Sequence, residues 1–247
     1  MKKTLLIFLP ALTLLCFNFK AQAQYEVIDA IEKAVAGQVS DAPQEWALGF
    51  KEGMVSANTH LASLVVEGKV QKVKGKHAEK YLYTLPLENT DFGKTGVVSD
   101  YYFNVVPTVN NGTLVQLDMY LDEEFSYKNH NEEKKPFIGV ESIFNYLWPI
   151  YKKKGWVGMS IGSSDFEVLC DACGFEKSPQ DGIEFLIYKG NSLIRFWRGD
   201  YPNYNRFTYY DLHNNQKAYQ QFVAKMMAEA AKAKAKQQQS QKKTSDF

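Results

Sequence analysis

YYFNVVPTVNNGTLVQLDMYLD, residues 101–122, is the stretch that decides the fold. Its second half alternates. Val115, Leu117, Met119 and Leu121 fall on one side, and Gln116, Asp118 and Tyr120 on the other. That period of two predicts a strand with one buried face. Asn111-Gly112 stands just before it. Both residues tolerate positive φ, as a tight hairpin turn requires. YYFNVVPTV is then the partner strand, and the pairing is antiparallel.

The pattern extends in both directions. Residues 64–73 and 79–87 read as two more strands of the same meander. Upstream, YEVIDAIEKAVA (25–36) places Val27, Ile28, Ile31, Ala34 and Val35 on one helical face. Pro43 opens a second expected helix through EWALGFKEG (45–53), because the first turn of a helix needs no donor from proline. The polar run KNHNEEKKP (128–136) is expected to be a surface loop or a subdomain boundary. VESIFNYLWPIYKKKG (140–155) returns to helical spacing, with Pro149 inside it and Gly155 as its stop.

Strands follow near 156–161, 183–188, 193–198 and 206–210. A final helix begins near Asn214, with Tyr219, Phe222, Val223, Met226, Met227 and Ala230 as its apolar stripe. The expected fold is therefore α+β. Antiparallel meanders pack with N-terminal, central and C-terminal helices, and the helix-plus-meander pattern occurs twice, as two similar halves would.

Residues 1–23 read as a signal peptide: Lys2 and Lys3, an apolar run interrupted by Pro10, then Ala21-Gln22-Ala23. The run is too short for a membrane span. Bulky Leu14 and Leu15 before Cys16 do not suit lipid attachment. A globular domain is expected over 24–230 and a disordered polar tail over 231–247. The expected location is periplasmic or extracellular. Without residues 1–23 the chain has 26 basic and 28 acidic side chains, a balance that gives no footprint for nucleic acid.

RFWRGDYPNYNRFTYYD (195–211) holds all three arginines of the chain, Arg195, Arg198 and Arg206. As a strand, 193–198 turns Ile194 and Phe196 toward the core and Arg195 and Trp197 to the other face. Arg206, Thr208 and Tyr210 lie across from them on the returning strand. Planar guanidiniums stack on aromatics and fork onto acids, and such residues concentrate at binding hot spots. A displayed binding surface is thus expected from Arg195, Trp197, Arg198, Tyr201, Tyr204, Arg206 and Tyr210. The bland alternative is a self-stacked hairpin that stiffens the sheet. The Arg198-Gly199-Asp200 tripeptide, in an already charged turn, carries little.

Other motifs compete. Gly158-Met159-Ser160-Ile161-Gly162 matches the nucleophile elbow of serine hydrolases, and Asp200 and His213 follow in triad order. However, Ser164-Asp165-Phe166-Glu167 is a capping box, so the next helix starts several residues late. Short strands without crossover helices also do not build a hydrolase sheet. Cys170 and Cys173 sit one helical turn apart, close enough for a disulfide. They lie at a helix C-terminus, which disfavours a redox thiolate.

The histidines His60, His77, His130 and His213 lack metal-ligand spacing, so no metal and no cofactor is expected. Lys69, Lys72, Lys74, Lys76 and Lys80 surround a Val-rich strand. They fit an edge guarded against aggregation better than a site for an anionic glycan or lipid. The function expected is a non-catalytic binding or interaction protein of the cell envelope, its partner a protein or a glycan. A small hydrolase using Ser160 is the alternative.

Overall fold

The computed structural model describes residues 26–88, 98–128, 138–164, 166–167, 170, 174–179, 182–199, 205–221 and 224. The expectations for residues 1–23, 128–136 and 231–247, and for Cys173, Asp200, Tyr201 and Tyr204, fall wholly or almost wholly outside them.

The hairpin read from 101–122 forms as expected. β3 (Val98–Asn110) pairs antiparallel with β4 (Thr113–Leu121), and Asn111 and Gly112 turn between them at φ 50° and 81°. A register shift at Thr108/Val109 follows Pro107, which cannot donate to the ladder. β1 (Gln71–Lys74) and β2 (Glu79–Glu88) complete the first meander. β5 (Val157–Gly162), β6 (Ile183–Lys189), β7 (Ser192–Arg198) and β8 (Asn205–Asp211) form a second one. The strand order is β1-β2-β3-β4-β8-β7-β6-β5, one antiparallel sheet in which the two meanders meet at β4 and β8. Asp118 stands opposite Thr208 at that junction.

A helix precedes each meander: α2 (Ala57–Val66) the first, α4 (Val140–Lys153) the second. Both lie on one face of the sheet. Leu61, Leu64, Ile143, Phe144 and Leu147 pack there with Leu85, Phe103, Leu117, Ile194, Phe196 and Phe207. On the other face, α1 (26–35) buries Val27, Ile31 and Ala34 against Ile161, Phe166, Leu186, Leu193 and Tyr210. A C-terminal helix (212–221) starts there too, and His213 Nδ1 lies 3.2 Å from the Val35 carbonyl.

Two local expectations fail. Residues 64–66 belong to α2, not to a strand. Leu61 and Leu64, with Ala57 one turn before Leu61, bury one helical side, and that packing overrides the strand preference of Val65 and Val66. Residues 45–53 form no helix beyond the short 3-10 turn Ala47–Gly49. There Leu48 and Gly49 take positive φ, and Glu45 bridges Lys51. The turn seats Trp46 and Phe50 in the core.

Candidate functional site

β7 and β8 are buried along nearly their whole length, on both faces. The parity read from the sequence holds: Ile194 and Phe196 face α4, and Arg195 and Trp197 face the other way. The register also holds, with Arg195 opposite Thr208 and Trp197 opposite Arg206. The expected display does not. Arg195 is 0% exposed, Trp197 1%, Arg206 6% and Tyr210 2%. Of the three arginines only Arg198 is exposed.

The cover is the 163–176 segment, helical at the described residues between 163 and 170 and turning at Gly174. Phe166, Cys170 and Phe175 bring it onto Ile161, Leu186, Leu193 and Tyr210. Its Glu176 holds two arginines at once. The backbone carbonyl accepts from Arg195 Nη1, and the side chain meets Arg206 Nη2. Cys170 Sγ lies 3.6 Å from that same carbonyl.

Arg195 is matched on every side. Its Nε and Nη2 donate to the two oxygens of Glu184 at 2.6 and 2.9 Å, a buried bidentate pair. The guanidinium lies 4.3 Å from the Phe166 ring centroid and 4.1 Å from that of Trp197. Burial is the largest influence and opposes its charge, but the Glu184 hydrogen bonds together with the charges of Glu184 and neighbouring groups outweigh it and hold its pKa above the ordinary value. Arg206 stacks at 3.5 Å on Trp197 and at 5.6 Å on Tyr120. Desolvated stacks of this kind contribute about 2 kcal/mol each. Burial pushes the Tyr210 phenol up to about 12.

Arg206 is less complete. Its Nε has no hydrogen-bond partner, and Nη2 touches Glu176 as an ion pair without hydrogen-bond geometry. The Glu176 side chain is itself 59% exposed. Arg206 thus marks the boundary of the covered region.

Two cross-strand rows run from the covered half into the first meander. One is Leu82, Asn104, Tyr120, Arg206 and Trp197; the other is Val106, Asp118, Thr208, Arg195 and Leu186. Asp118 accepts from Thr208 Oγ1 and Gln116 Nε2 at 2.8 Å each. Burial raises its pKa above the ordinary value, and Thr208 and Arg206 only partly offset this. Beyond Arg206 the same face of β2–β4 carries half-buried Thr84, Tyr102, Asn104, Val106, Gln116 and Tyr120. α3 (Glu123–Lys128) packs on β3 at one end of it, with Ser126 Oγ taking the Tyr102 backbone N–H.

Sequence reasoning missed Glu184, Glu176 and Asp118. A trace of Glu184 was present: in IEFLIYK it is the one acid on the strand, on the side shared with Leu186 and Tyr188.

Ser160 is not on an elbow. It sits exposed in mid-β5 opposite Phe185, and the strand continues to Gly162. Among the described residues no histidine hydrogen-bonds to it; His60 and His213 hold the carbonyls of Leu48 and Val35. Gly158 has a packing cause, since a Cβ there would lie 2.8 Å from the Trp148 ring. Among the described residues no three His, Cys, Asp or Glu side chains converge to hold a metal ion, and no helix is long and apolar enough to cross a membrane. No protein-family model, curated protein or solved structure matches this chain.

Proposed function

We propose that the protein is an exported, non-catalytic binding protein of the cell envelope, and that its ligand is a glycan lying on the β2–β4 face against Tyr120. The observation that carries this reading is the place where the buried cluster ends. There the half-buried Tyr120 ring lies over the buried Arg206 guanidinium, with Asn104 directly opposite Tyr120 and Gln116 farther along the same face of β4. A flat ring with amide groups on the same face suits a sugar, whose apolar face stacks and whose hydroxyls accept. The local charge favours a neutral ligand, because Glu184 and Glu176 already balance the two guanidiniums.

The test is co-sedimentation with purified cell-wall glycan, comparing wild type with Tyr120→Ala and Gln116→Ala. Wild type pellets with the glycan, and each variant loses about tenfold in affinity, on the scale of one stacked ring or one buried hydrogen bond. Equal pelleting of all three proteins contradicts the site.

A further inference from the structure

The β1–β2 hairpin is at the far edge of the sheet from the arginine cluster. Residues 66–80 carry five lysines against two acids, a formal +3 in a chain whose total is +1. Three of those lysines are engaged: Lys69 with Glu67 at 2.7 Å, Lys72 with Glu79 at 2.8 Å and Lys80 with Asp122 at 2.6 Å. Lys74 and Lys76 are exposed and have no acidic partner among the described residues.

Guarding an edge explains a lysine on the strand, such as Lys74. It does not explain Lys76 and His77, which sit in the turn and protect no ladder. That turn is fixed. Gly75 N–H donates to the Ala78 carbonyl at 2.9 Å, and a Cβ on Gly75 would stand 2.6 Å from the same oxygen. Residues 72–79 line an open hollow of about 570 Å³. Two exposed lysines on a fixed turn at the sheet edge match an anionic bilayer surface, which offers them phosphates.

We propose that this hairpin docks on an anionic lipid surface, with Lys74 and Lys76 meeting headgroup phosphates. The site is independent of the Tyr120 face. Binding is measured by sedimentation with vesicles of 30% phosphatidylglycerol in phosphatidylcholine, against pure phosphatidylcholine. Wild type favours the anionic vesicles by at least about tenfold, since each lysine near the surface is worth about fivefold, or about 1 kcal/mol.

Lys74→Glu with Lys76→Glu falls to the phosphatidylcholine level while keeping the wild-type melting curve. Lys232→Glu, Lys234→Glu and Lys236→Glu together, an equal or larger charge change in the tail, keep the preference. Tyr120→Ala keeps it as well, which separates this site from the glycan face. Equal binding to both vesicles overturns the proposal. So does loss in the tail variant with retention in the hairpin variant. Full displacement by inorganic phosphate, at the same phosphate concentration as the vesicles, would also overturn it by showing that a free anion is enough.

Discussion

The two meanders share a topology and differ in what covers them. Each is four antiparallel strands after a helix, and α2 and α4 lie on the same face of the joint sheet. On the opposite face the second meander is sealed by α1 and the 163–176 segment, so β7 and β8 are buried on both sides. β3 keeps the alternation of a strand buried on one side, from Asp100 exposed and Tyr101 buried to Val105 buried and Val106 half-buried. The difference shows how the same alternating pattern can serve two ends. In one half the polar row is buried, and ion pairs and stacking then have to match it. In the other half it stays near the surface, where it can meet a ligand.

Arg195→Ala should separate the halves most. It leaves Glu184 charged and buried without its partner, and loss of one member of a buried pair costs about 3–5 kcal/mol. Val106, in the same cross-strand row of the first meander, should lose no more than about 1 kcal/mol as Val106→Ala, since it is only half-buried. Urea unfolding of both variants measures this, and equal losses would erase the comparison. Replacing both partners, Arg195→Met with Glu184→Leu, should return most of the stability, because two apolar groups leave no orphaned charge.

Much of this architecture was legible locally. The Asn111-Gly112 hairpin, the strands of both meanders and the inward turn of Ile194 and Phe196 follow from spacing and turn chemistry alone. So does the sharing of one face by Arg195, Trp197 and Arg206. Exposure was not legible, because it depends on a segment that folds over from elsewhere. Nothing within 195–211 shows that Phe166 and Glu176 will close on it. The misread 64–66 has the same cause: a local preference yields to burial of Leu61 and Leu64.

Gly158→Ala is expected to cost about 1–3 kcal/mol through overlap with the Trp148 ring. Thermal melting reads this, and an unchanged melting temperature would return the glycine to the serine-hydrolase motif.

The buried acids give a pH test. Burial raises the pKa of Asp118, and of Asp211 and Glu52 in the same direction. A carboxyl raised in the folded state stabilises fully below the ordinary carboxylate range, and that stability is lost as pH rises through the folded pKa. Wild type should therefore lose part of its urea resistance as pH rises out of the ordinary carboxylate range, and Asp118→Asn should flatten that fall. A parallel slope in the variant would remove Asp118 from the account. Ser160→Ala should be the smallest change, within about 0.5 kcal/mol in stability, as for an exposed residue without partners.

The most direct test uses the fact that the chain has three arginines, all within twelve residues. Native protein is treated with phenylglyoxal, and each arginine is read by peptide mass spectrometry. Arg198 should be modified while Arg195 stays unmodified until denaturant is added, with Arg206 close to Arg195. Modification of Arg195 in the native protein at the rate of Arg198 would show that the 163–176 cover is not closed, and the account of the second meander would fail.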